Sequence, residues 1–118
     1  MSFSQPADSE LLKAILEPLL EDFQYWFSKT RSLLELQQLP FLSAEEQADL
    51  LNRIDRAQKE VSAAKMLFEA TDKKTGVDPA TLIPWHHLVA ECWNVARQWR
   101  SFQENQKQSL GSQLDTKE

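Results

Sequence analysis

The chain has 118 residues, 42% of them hydrophobic and 26% charged, with a formal net charge of −5, a length that supports one domain with one modest core. Two glycines in the whole chain are too few for the turns of all-β folds or nucleotide-binding α/β folds. Basic residues are scattered, with no block longer than Lys73–Lys74; counterion release needs a concentrated basic face, so neither nucleic acid nor anionic lipid is expected as a partner.

Residues 1–8, rich in Ser, Gln, Pro and Asp, read as a flexible arm. They lack a basic segment followed by an apolar run, so no secretory signal is expected. Asp8 or Ser9 suits the cap of a first helix. From there apolar residues recur in alternate steps of four and three: Leu12, Leu16, Leu19, Phe23, Trp26, Thr30, Leu33. A helix turns once per 3.6 residues, so this is one stripe on one side of a helix reaching about Leu36. Pro18 interrupts it, and an interior proline removes a backbone bond at a cost of roughly 3 kcal/mol. The helix is therefore kinked or split there. The stripe keeps phase from Leu16 to Leu19, which favours the kink.

Gln37 to Leu42 form a connection. Ser43-Ala44-Glu45-Glu46 is a capping box: the Ser43 hydroxyl accepts from the Glu46 amide, and the Glu46 carboxylate accepts from the Ser43 amide. The second stripe is Leu50, Ile54, Ala57, Val61, Ala64, Phe68, with Lys73, Lys74 and Gly76 suited to the helix end. Thr71 to Ile83 is the longest connection, with a short turn at Ala80-Thr81-Leu82. The third helix is expected to open near Pro84, as a first-position proline, and to end near Gln103 or Gln108. Its stripe is Trp85, Leu88, Cys92, Val95, Trp99, Phe102. Residues 106–118 read as a disordered tail. The fold expected is all-α: an antiparallel up-down-up bundle of three long helices over residues 9–105. No segment approaches 18 uninterrupted apolar residues, so no membrane span is expected.

Little here points to chemistry. Cys92 is the only cysteine, which precludes an internal disulfide and a thiolate cluster; it sits on an apolar stripe and reads as an inert core thiol. His87 and Glu91, four apart, share a helix face and make a weak candidate metal pair. A site needs further carboxylates, such as Glu17, Glu21 or Asp22, and the plainer reading is a surface pair. His86, adjacent to His87, points about 100° away. No glutamate is followed three residues later by histidine, as a di-iron bundle requires. No nucleophile, base and oxyanion donor assemble, and no nucleotide-binding or serine-hydrolase motif occurs. The chain is read as a non-enzyme without a cofactor.

The aromatic residues are more informative. Tyr25, Trp26 and Phe27 are consecutive and splay over about 200° of helix, more than one narrow stripe can bury. Trp93 lies one position beyond the Cys92 stripe, and Leu11, Leu20 and Leu34 widen helix one. This surplus predicts a contact surface made of Tyr25, Trp26, Phe27 and Trp93, for a protein partner or a homodimer, and the heptad-like spacing also suits a coiled coil. Two alternatives compete. The kink and the 71–83 connection cover these residues, or a pigment, lipid or metal binds between the helices near His87 and the tryptophans.

The segments LLKAILEPLLEDFQYWF at 11–27, FLSAEEQADLL at 41–51 and PWHHLVAECW at 84–93 together resemble a family of small cyanobacterial proteins of unknown function. The resemblance covers about residues 10–100. It implies a photosynthetic bacterial source and an intracellular setting, and it directs attention to partners in photosynthesis or carbon fixation; the cytoplasmic setting is the default expected without a secretory signal or membrane span. It carries no activity and no site residues. The reading is an adaptor or assembly factor, with a small-ligand carrier as the alternative.

Overall fold

The computed structural model describes the backbone of residues 5–70 and 79–116 and the side chains of residues 14–70 and 80–108. Helix α1 spans Gln5–Leu36, α2 Ala44–Ala70 and α3 Pro79–Thr116, and no strand occurs among the described residues. The suggested end of α2 at Lys73, Lys74 and Gly76 lies outside them.

Side-chain partners fix the directions. Along α1 from Gln24 to Leu34, partners on α2 run backwards, from Ser62 to Gln47. Partners on α3 run forwards, Phe23 against Trp85 and Trp26 against Trp93. The bundle is therefore up-down-up, as the stripes predict. The α2 stripe is buried at Leu50, Ile54, Ala57, Val61 and Phe68, and α3 buries Trp85, Leu88, Val89, Cys92 and Val95.

Helix α1 departs from its expected stripe. Its buried row is Leu16, Leu20, Phe23, Phe27, Thr30 and Leu34, while Leu19, Trp26 and Leu33 are only partly buried against the core. The helix lies against both neighbours, so the centre of its apolar arc falls between two stripes one position apart.

Several boundaries also shift. Helix α1 passes unbroken through Pro18, so it is not split: leucines at 16, 19 and 20 hold both sides of the proline against the core. The backbone is already helical from Gln5, inside the expected arm, because Pro6 fits the first turn of a helix. Helix α3 begins at Pro79, which takes the first-position role assigned to Pro84; Pro84 lies inside the helix. The expected turn at 80–82 is instead the opening of α3, anchored by Leu82 on the core. The helix continues through Thr116 into the expected tail, since its Gln, Glu and Lys residues are good helix formers.

The α1–α2 connection is locked by polar contacts. The capping box forms in full: the Ser43 amide donates to Glu46 Oε1 at 2.8 Å and the Glu46 amide to Ser43 Oγ at 3.0 Å. Buried Gln47 does more. Its Nε2 donates to the carbonyls of Leu34 (2.9 Å) and Gln37 (2.6 Å), and its Oε1 accepts from the Leu39 amide (2.9 Å) and Gln38 Nε2 (2.9 Å). One amide side chain thus satisfies the carbonyl end of α1 and the turn behind it. Leu39, fully buried, plugs this end of the core.

Removing these bonds has a calculable effect. Gln47→Leu strands a buried amide hydrogen and two carbonyls and should lower stability in urea unfolding by about 2 kcal/mol or more. Ser43→Ala should cost about 1 kcal/mol.

Candidate functional site

The two seams of α1 differ in character. The α1–α2 seam is bridged by its own polar groups, which line a surface depression of about 640 Å³. Gln24 Nε2 donates to the Gln58 carbonyl and Ser62 Oγ, Arg31 donates to Asp55 and Gln58, and Gln58 Nε2 donates to Ser28 Oγ. Lys59 and then Arg31 hold the Asp55 carboxyl below its usual range. The α1–α3 seam carries no such zipper among the described residues. Above its buried floor lies a solvent-facing groove of about 650 Å³.

Aromatic rings line the groove because both helices carry them one position off their buried rows. Trp26 of α1 meets Trp93 of α3 edge-to-face at 6.2 Å. Tyr25 extends the row on one side (5.3 Å from Trp26), and His86 touches Trp93 on the other (6.0 Å). Further along α3, Trp99 stacks on Phe102 at 5.5 Å. Tyr25 is 54% exposed and Trp93 40%, so neither is covered by its own chain.

Positive charge surrounds these rings. Lys29, Arg97 and Arg100 line the groove together with Trp26, Trp93 and Trp99, and no carboxylate does. Lys29 Nζ stands 5.6 Å from the Tyr25 ring centre and 5.5 Å from that of Trp26, within cation–π range. The described ion pairs use Arg31, Arg53 and Lys59 instead. The three groove cations have no carboxylate within ion-pair distance among the described residues.

Of the residues expected at a contact surface, Tyr25, Trp26 and Trp93 come together here. Phe27 does not: it is fully buried and packs on Phe23 at 6.3 Å. It has no polar handle, and it lies four residues after Phe23 and seven after Leu20, in phase with the buried row. Lys29, Trp99, Arg97 and Arg100 were not expected. For Lys29 the available signal was spacing, since it is four residues after Tyr25, which places its ammonium beside the Tyr25 and Trp26 rings.

Of the weak metal pair, His87 is exposed and Glu91 is otherwise engaged. Both Glu91 oxygens accept from Arg53, at 2.7 and 3.0 Å, and this fork holds the guanidinium firmly charged. No cluster of three or more His, Cys, Asp or Glu suited to a metal occurs among the described residues. No described helix is long and apolar enough to cross a membrane.

Residues 6–101 match the family described as a protein of unknown function (DUF2605). The chain belongs to that family. No curated protein and no solved structure gives a match. The matched span takes in every residue lining the groove, so in this DUF2605 protein the groove is part of the family domain.

Cys92 sits in the core with its sulfur beside the Thr30 hydroxyl. Burial pushes its thiol up to about 11, against a weaker opposite pull from Thr30. The proton is held more tightly in the folded state. The stabilisation this represents is present below the ordinary thiol value of 9.0 and is lost as pH rises through about 11. Native protein at neutral pH should therefore react with a disulfide reagent far more slowly than protein unfolded in urea, measured by thiol release. Equal rates would contradict this placement.

Proposed function

We propose that this DUF2605 protein is a non-enzymatic protein–protein interaction module, an adaptor or assembly factor, that receives its partner in the α1–α3 groove. One observation carries the reading: Trp26, Trp93 and Tyr25 form a connected aromatic row on the surface, beside arginines that no carboxylate among the described residues pairs. Trp, Tyr and Arg are the residues in which interface energy concentrates. A cytoplasmic setting, a cyanobacterial source and a partner from photosynthesis or carbon fixation belong to the same proposal; the resemblance of the three sequence segments supports the source and the partner.

A second reading is kept for the groove volume. About 650 Å³ lies within the range of roughly 300–1,000 Å³ typical of small-molecule sites, which favours a carrier of an aromatic or lipid ligand. Native mass spectrometry of protein from its source distinguishes the two, since a carrier retains a ligand of defined mass.

The interaction reading predicts that Tyr25→Ser with Trp93→Ser abolishes capture of specific proteins from source lysate and leaves helical circular dichroism unchanged, because both side chains are exposed. Identical capture by variant and wild type removes the groove from the reading. Loss of helicity assigns the two residues to the core instead.

A further inference from the structure

The groove has a charge that the molecule as a whole does not. The chain is acidic, at −5, yet the groove lining holds Lys29, Arg97 and Arg100 and no carboxylate. Lys29 comes from α1 and the two arginines from α3, so cations stand on both sides of an indole-lined floor. Arg97 and Arg100 are three residues apart on one helix, roughly 5–6 Å between their Cβ atoms. An occupant that satisfies this lining needs an apolar ridge flanked by carboxylates on both sides, spaced by about a helical turn. Resting on the interaction reading above, we infer that the groove takes an acidic amphipathic helix of a partner protein, its apolar side chains on Trp26, Trp93 and Trp99 and its carboxylates on Lys29, Arg97 and Arg100.

The same charges disfavour a symmetric second copy. A twofold contact presents the same patch from both subunits, which sets the three cations of one copy against those of its partner. Like charges facing each other across an interface are repulsive. A homodimer through this groove is therefore disfavoured. Salt sensitivity follows as well, because the carboxylate contacts form at a solvent-accessible rim.

The test is selection from a phage-displayed library of random 16-residue peptides on the full chain, followed by binding of the selected synthetic peptides to three variants. Trp93→Ser removes the floor. Arg97→Glu with Arg100→Glu reverses the rim, and Arg97→Gln with Arg100→Gln neutralises it. These arginines are exposed, and circular dichroism verifies folding of each variant. The selected peptides should be rich in Asp and Glu around Leu, Phe or Trp. Their affinity should fall by at least about tenfold on charge reversal, by less on neutralisation, and should weaken as salt is raised. Peptides that need Trp93 but ignore Arg97 and Arg100, or that are basic or neutral, overturn the acidic-helix inference and leave the interaction reading standing. No Trp93-dependent peptide at all overturns the reading beneath it. Two parallel measurements also count against the inference: a dimer in sedimentation that Arg97→Glu with Arg100→Glu dissociates, or binding to phosphatidylserine vesicles that the same change abolishes.

Discussion

The structure depends on α1 having to serve two neighbours. Its apolar arc is wider than a three-helix bundle strictly needs. Phe23 reaches Trp85 on α3, while Gln24 and Arg31 on the adjoining face reach α2. Thr30, buried in the same row, meets Cys92 of α3 through its hydroxyl. The two outer helices are tied to each other by fewer contacts, chiefly Trp85 Nε1 donating to Glu60 at 3.0 Å and the Arg53–Glu91 fork. Register is set at one end by Gln47, whose four hydrogen bonds hold the turn that reverses the chain.

This arrangement explains why one seam is bridged by polar pairs and the other is lined by aromatic rings and cations. Toward α2, α1 presents Gln24, Ser28 and Arg31, which find amide, hydroxyl and carboxylate partners. Toward α3 it presents Trp26, Lys29 and Leu33, and α3 answers with Trp93, Ala96 and Arg97. The indoles of Trp26 and Trp93 meet edge-to-face above the buried rows. Cations opposite one another cannot bridge the gap as an Asp–Arg pair does. An aromatic floor whose positive rims meet no carboxylate among the described residues is the physical result.

Periodicity made most of this fold legible. The spacing of Leu50, Ile54, Ala57, Val61 and Phe68 located α2 and its inward face, and Ser43 with Glu46 located its start. The method failed where a helix is touched from two sides: on α1 the sets Leu20, Phe27, Leu34 and Leu19, Trp26, Leu33 share one spacing, and only tertiary packing decides which is deeper. Gln47 occupies the next stripe position before Leu50, but a search for apolar residues passes over a buried amide. Pro84 looked like a helix start because nothing local distinguishes it from Pro79. Of the aromatic surplus, Tyr25, Trp26 and Trp93 come together at the surface and Phe27 is buried. Lys29 was legible from its spacing to Tyr25, but its meeting with Arg97 and Arg100 was not, because they are far apart in sequence and only the parallel packing of α1 and α3 brings them together.

The central claim is that three of the four tryptophans line an accessible, positively charged groove while Trp85 is shielded. Fluorescence quenching of the free protein by iodide and by caesium, at equal ionic strength, tests it directly. Local positive potential concentrates iodide and repels caesium, so iodide should quench most of the tryptophan emission with a clearly larger constant than caesium. Equal quenching by the two ions, or emission protected from both, would contradict the account.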